Sequence, residues 1–220
     1  VARRALSFLV VAGLAAGAWG GLHRAGANDP TGEPDRGSGT LDWPAARRCL
    51  VVADGCRFAV VGDSVSSLTR HEFLARGGET YANGGVDIET GREAIGDLAQ
   101  RGDTPIVIAL GLMDTARHAT PDQLERRIRT VLERDVADVP CVVWVDIKQT
   151  SNVHDRWPGR SRRFNGILAD VAAEHDRPVA RWSVASAGHP EWFRVDGIHP
   201  NDLGQRKLAL FVTRAVRRLC

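Results

Sequence analysis

The chain has 220 residues, 25% of them charged and 43% apolar, with a formal net charge of +2. That length suits one domain with a sizeable core, and the composition is that of a globular protein, not a disordered or fibrous one. Basic clusters at 156–164 (RWPGRSRRF) and 214–219 (RAVRRL) are offset by acids elsewhere, which argues against nucleic acid as a partner.

The first residues do not look like part of a fold. A basic flank, VARR, precedes 18 residues without a charge, ALSFLVVAGLAAGAWGGL (5–22). AGAN (25–28) then offers the small residues a signal peptidase reads, which predicts a signal peptide over 1–27. An uncleaved anchor through residues 5–22 is the alternative, since that stretch is barely long enough to span a bilayer. Either reading puts the body of the protein outside the cytoplasm, secreted or in the cell envelope. Residues 28–45, opening NDPTGEPDRGSGT, form a polar linker with too little apolar surface to order itself. The domain proper is expected over 46–220.

Export makes disulfides the natural reading of the four cysteines. In CLVVADGCRF, Asp54-Gly55 is a turn signal between apolar runs, so a hairpin would set Cys49 opposite Cys56. Cys141 stands before a strand and Cys220 at the end of the last helix. In a parallel α/β sheet those ends share a side, which pairs Cys141 with Cys220. No C-x-x-C spacing and no nearby histidines mark a metal site.

From residue 57 onward, β-branched runs alternate with amphipathic stretches. RFAVVGDS is a strand, and VSSLTRHEFLARG has helical spacing and ends at Gly77-Gly78. NGGVDIE is expected as a short strand, followed by the helix GREAIGDLAQRG, closed by Gly102. TPIVIALG is a buried strand. TPDQLERRIRTVLERD starts with a Thr cap and a first-turn proline, and Leu124, Ile128, Val131 and Leu132 form one stripe. PCVVWVDI and RPVARWSV are strands flanking the helix RRFNGILADVAAEHD, and NDLGQRKLALFVTRAVRRL is a long closing helix. The pattern predicts a doubly wound, three-layer α/β fold with a five-stranded, mostly parallel sheet. Such folds carry their sites at the carboxyl ends of the strands. Ser64, Gly91, GLMD (111–114) and DGIH (196–199) are all expected just after strands.

A serine nucleophile needs a base, and the base needs a group to orient it. VDGIHPNDLG supplies both from one loop, with Asp196 three residues before His199. The carboxylate would fix the imidazole tautomer and stabilise the imidazolium formed when Ser64 loses its proton. The bland alternative for Ser64 is a helix cap. Asp63 is expected to cap or brace the loop, although it lies near the cleft. Asp114 is either a polar cleft residue or a cap. His71, His118, His154, His175 and His189 lack partners in sequence and are expected at the surface. Trp182 and Trp192 are expected in the core or its rim, whereas Trp157 lies in a polar loop near the cleft.

At these residues the chain resembles the SGNH (GDSL) hydrolase superfamily, over about residue 57 to the end. VVGDSV looks like the block that carries the nucleophile, and DGIHPNDLG like the block that carries the acid and base. VDIETGREAIGDL resembles the block whose glycine donates a backbone N–H to the oxyanion. The resemblance assigns that donor to Gly91 alongside the Ser64 N–H, with Gly84 or Gly85 as alternatives. VDIETGRE and RRFNGILADVA look most like the soluble acyl-transfer domains of peptidoglycan and polysaccharide O-acetyltransferases. One block departs from the pattern: LGLMDT places Met113 where the family carries an oxyanion Asn. A thioether cannot donate a hydrogen bond, and one missing oxyanion donor typically costs ~3 kcal/mol. A water or an amide such as Asn83 or Asn152 is open as a substitute.

The resemblance implies a serine esterase using no metal or organic cofactor. Its expected substrate is a short-chain acyl ester, most simply an acetyl ester of a cell-envelope glycan. An O-acyltransferase fed by a separate membrane acyl donor is the alternative, and so is a weakly active or non-catalytic envelope-binding module.

Overall fold

The computed structural model describes residues 58–149 and 157–220, the side chains of residues 157 and 158 excepted. The signal peptide or anchor (1–27), the linker (28–45) and the Cys49–Cys56 pairing lie outside the described residues. Among the described residues, no helix is long and apolar enough to cross a membrane.

Five strands, β1 (Phe58–Gly62), β2 (Gly78–Ala82), β3 (Ile106–Ala109), β4 (Val142–Val145) and β5 (Val179–Ala180), make one sheet in the order β2-β1-β3-β4-β5. Every neighbouring pair is parallel. β1, β3 and β4 are short runs of mainly Val, Ile, Ala and aromatic residues buried on both faces, as parallel strands covered by helices must be. Side chains alternate across the sheet. Ala59, Val61, Ile106, Ile108 and Trp144 join the core under α3 (Ile88–Arg101), α5 (Pro121–Thr130) and α6 (Trp157–Glu174). Phe58, Val60, Val107, Val143 and Val145 join the core under α2 (Arg70–Leu74) and α8 (Asp202–Leu219). This is the predicted three-layer, doubly wound fold.

Local chemistry fixes the helix ends. Thr120 and Gln123 form a reciprocal capping box at α5, with Pro121 in the first turn. α5 then runs into a wider π turn, Val131–Asp135. α3 ends at Gly102, whose φ of 67° is the left-handed conformation that favours glycine. α8 is capped by Asn201, whose side chain accepts from Gly204 N at 3.0 Å. Short helices α1 (Ser64–Leu68), α4 (Leu112–Ala116) and α7 (Trp182–Ala185) sit at the carboxyl ends of β1, β3 and β5.

One strand is misplaced by the sequence pattern. NGGVDIE is not a strand; β2 is GETYA, five residues earlier. Asn83–Gly85 turn, Asp87 caps α3 by accepting from Thr90 N at 2.9 Å, and Ile88 is already helical. β2 escapes a hydrophobic reading because it is an edge strand whose buried acid, Glu79, is held at 2.7 Å by Arg101.

Cys141, just before β4, is disulfide-bonded to Cys220, just after α8, with Cα atoms 5.5 Å apart. The bridge lies at the strand-start edge, away from the tip of β1. It closes a loop across a sequence separation of 79, for which chain entropy predicts about 4.5 kcal/mol of stabilisation. Cys141→Ser should lower unfolding stability by about 2–4 kcal/mol in urea titrations. A reductant should have no further effect on the part of the loss that comes from this bridge. Equal stability of oxidised wild type and variant would contradict the assignment.

Candidate active site

β1 must end with its chain tight against α1. A Cβ on Gly62 would strike the Ser66 side chain, so glycine lets the helix start directly on the strand tip. Asp63 follows in extended conformation and caps α1, its Oδ1 accepting from Val65 N at 2.9 Å. Asp63 is buried and lines a small internal cavity beside α1. Burial pushes its carboxyl up to about 7, against the Val65 amide that favours the ion and with the Asp114 charge adding to the rise. Ser64 opens the helix and is partly exposed.

The second component comes from the other end of the chain. Phe193 and Pro200 pair in an antiparallel bridge, Arg194 N donates to His199 O at 2.8 Å, and Gly197 turns the loop with φ of 69°. Inside this loop Asp196 is used twice. Its Oδ1 accepts from Ile198 N at 2.8 Å and His199 N at 2.9 Å, and its Oδ2 lies 2.8 Å from His199 Nδ1. Burial works to raise this carboxyl. The Ile198 amide, the His199 ring and the His199 amide outweigh it and hold Asp196 below the ordinary carboxylate range. An ionised carboxylate only accepts, so Nδ1 carries the proton and, in the neutral ring, Nε2 is left as an acceptor. His199 Nε2 lies 2.9 Å from Ser64 Oγ, across 135 residues of sequence. The hydroxyl therefore donates to the imidazole.

Other anticipated site residues fall elsewhere. Gly91 is not an oxyanion donor: it lies inside α3, its N–H donates to Asp87 O at 3.0 Å, and Leu110 packs where a side chain would be. Gly84 and Gly85 do lie in the turn after β2, and neither N–H has a hydrogen bond among the described residues. Gly85, with φ of 80°, needs its glycine. Asn83 begins the same turn, its N donating to Gly62 O at 3.3 Å; among the described residues its half-buried side chain makes no hydrogen bond. Asp114 is not in the cleft. It is fully buried, accepting from Ile88 N at 3.0 Å and pairing with Arg127 at 2.5 Å, so it ties α4 to the start of α3 and the last turn of α5. Burial nonetheless raises its carboxyl, the Arg127 and Ile88 bonds opposing. Met113 is half-exposed in the first turn of α4. The Trp157 side chain and Asn152 lie outside the described residues.

Some contributors carried no signal in sequence. Asp87, besides its cap, pairs with Arg117 at 2.7 Å, and Arg117 also holds Gly85 O at 3.0 Å. The strand reading of NGGVDIE hid the cap, and the arginine lies 30 residues on. A cavity of about 40 Å3 beside the start of α1 is lined by Asp63, Val65, Phe73, Leu112, Asp146 and Trp182 among others, and neither Ser64 nor His199 lines it. No group of three or more His, Cys, Asp or Glu among the described residues is placed to hold a metal.

The sequence model of the GDSL-like lipase/acylhydrolase family matches residues 26–207. Thioesterase 1/protease 1/lysophospholipase L1 of Escherichia coli (strain K12) is 26% identical over 115 residues, 52% of this chain and 54% of that protein. The chain thus spans about half the length of the curated relatives it matches. A lipase/acylhydrolase from Enterococcus faecalis superposes with a TM-score of 0.61 at 18% identity, covering 74% of this chain and 96% of that one. The C-terminal catalytic domain of peptidoglycan O-acetyltransferase A from Streptococcus pneumoniae gives a TM-score of 0.61 at 16% identity, covering 74% and 93%. At these identities the structural likeness speaks to fold alone.

The raised Asp63 carboxyl has a thermodynamic consequence. The folded chain keeps this proton up to about pH 7, whereas the unfolded chain releases it near 3.8. This group therefore erodes stability as pH rises between those values, and no further above them. Asparagine caps helices as well as aspartate does. Asp63→Asn should gain on wild type by up to about 4 kcal/mol between pH 4 and 7. Parallel stability–pH curves in denaturant titrations would contradict the assignment.

Proposed function

This chain belongs to the GDSL-like lipase/acylhydrolase family, and on that premise we propose that it is an exported serine esterase acting on short acyl esters. The observation that carries the reading is the line from Ser64 Oγ through His199 to the Asp196 carboxylate, at 2.9 and 2.8 Å. In this reading Ser64 Oγ attacks the ester carbonyl carbon as its proton passes to His199 Nε2. Asp196 stabilises the imidazolium and keeps the ring in place. The tetrahedral oxyanion takes the Ser64 N–H and a donor from the Asn83–Gly85 turn, since the Gly91 amide is spent inside α3. His199 then returns its proton to the leaving alkoxide, and an acyl group remains on Ser64. A second attack by water, with His199 again as base, releases the acid and restores the hydroxyl.

An acetyl ester on a cell-envelope glycan is the substrate proposed. Transfer differs from hydrolysis only in the acceptor that reaches the acyl-enzyme. A sugar hydroxyl in place of water would make the protein an O-acyltransferase working with a separate membrane acyl donor. The Met113 substitution favours a further reading, a weakly active or binding form of the same scaffold, because position 113 offers no donor.

Purified protein should hydrolyse p-nitrophenyl acetate, and Ser64→Ala or His199→Ala should lower kcat/KM by about a thousandfold or more. Asp196→Asn should cost nearly as much through the wrong tautomer. Losses under about tenfold for Ser64→Ala would remove it from the chemistry. Met113→Asn should raise kcat by about 3- to 30-fold with KM little changed, since an added donor acts on charge that develops only in the transition state. An unchanged kcat, with acylation shown to be limiting, would mean that position 113 does not reach the oxyanion.

A further inference from the structure

α8 carries an outer face unlike those of α3 and α5. Leu203, Arg206, Lys207, Leu210, Arg214, Arg217 and Arg218 fall within about 60° of one line along the helix at 100° per residue. All seven are exposed, Leu203 at 37% and Leu210 at 36%. Over roughly 22 Å of helix the face holds five cations and two leucines, and no acid. Among the described residues none of the five cations is in an ion pair with an acid. Lys207 lies over the Trp192 ring, at 5.6 Å. On α5 and α3 charges are mixed and paired: Arg129 on α5 meets Glu125 and Glu174, and Arg92 on α3 meets Glu89 and Asp135. With a net charge of only +2 for the whole chain, this is segregation, not general basicity.

The apolar surface follows the same segregation. Among the described residues, the exposed large hydrophobics are Val184, Val195, Leu203, Leu210 and Leu219, all in the α7–α8 region. Val195 is completely exposed and adjoins Asp196 in the loop that holds His199. The stripe therefore starts at the catalytic edge of the sheet and runs back toward the Cys141–Cys220 bridge, which ties down the far end of the helix.

We propose that the outer face of α8 is a docking surface for an anionic lipid bilayer, on which the helix lies flat with the Ser64–His199 mouth at the membrane edge. Cations spaced along a rigid helix match acidic headgroups. The interspersed leucines select a bilayer over a soluble polyanion, because only a bilayer removes them from water. The inference concerns a surface distinct from the catalytic groups and holds whether or not Ser64 is a nucleophile.

The test uses the full chain and sedimentation with vesicles of phosphatidylcholine alone or with about 30% phosphatidylglycerol. The apolar segment 5–22 is common to every variant, so the comparisons cancel its contribution. The wild type should partition at least about tenfold better onto the anionic vesicles, and that preference should vanish near 0.5 M salt. Arg206→Glu/Arg214→Glu/Arg218→Glu should abolish the preference with unchanged circular dichroism, whereas the three Arg→Lys replacements should keep it. Should the Glu variant misfold, Leu203→Ser/Leu210→Ser decides: it should weaken anionic binding about threefold or more without altering charge. Equal partition of wild type onto both vesicles would overturn the proposal. So would binding to soluble polyglutamate without a vesicle preference, which would assign the stripe to a polyanion.

Discussion

The hydrogen bond between Ser64 Oγ and His199 Nε2 is the contact on which the functional account depends, and most of the fold exists to make it. Its partners are 135 residues apart. One sits where the β1 strand hands over to a helix, the other in a loop that the chain reaches only after winding both halves of the sheet. A parallel sheet brings such distant points together because every strand tip lies on one edge. Within the loop, Asp196 spends one oxygen on backbone amides and the other on the imidazole. That division matters: the amides lock the carboxylate, so the carboxylate can lock the ring.

Around that line lies a layer of charge that touches no reacting atom. Asp114 and Asp87 are held by Arg127 and Arg117, and together they fix where α3 and α4 begin. The cost is visible in the electrostatics, since Asp114 sits fully buried with its carboxyl raised despite its arginine. Such groups are positioning residues. They decide where the loop after β2 lies.

What the sequence could disclose followed the range of the interactions concerned. β1, β3 and β4 were legible because parallel central strands are near-continuous apolar runs. The α5 start was legible because Thr120, Pro121 and Gln123 cap it locally. Ser64, Asp196 and His199 stood out through short motifs, G-D-S and D-x-x-H, each set by the geometry of one turn. β2 was misplaced because its buried Glu79 is neutralised by Arg101, 22 residues away. Val86 and Ile88, meanwhile, imitate a strand while serving a loop and a helix start. The Gly91 assignment failed for the same reason: with β2 shifted, that glycine moved into the first turns of α3. Asp114 could not be placed because its partner lies 13 residues on, along a different helix.

The account stands or falls on whether Ser64 is a nucleophile and not only the residue that opens α1. The most direct measurement is intact-mass and peptide-mass analysis after treatment with a serine-directed phosphonate fluorophore. The account predicts one phosphonyl adduct per chain on the peptide containing Ser64, absent from Ser64→Ala and strongly slowed in His199→Ala. A chain that stays unlabelled at Ser64, or labels equally fast without His199, would contradict it.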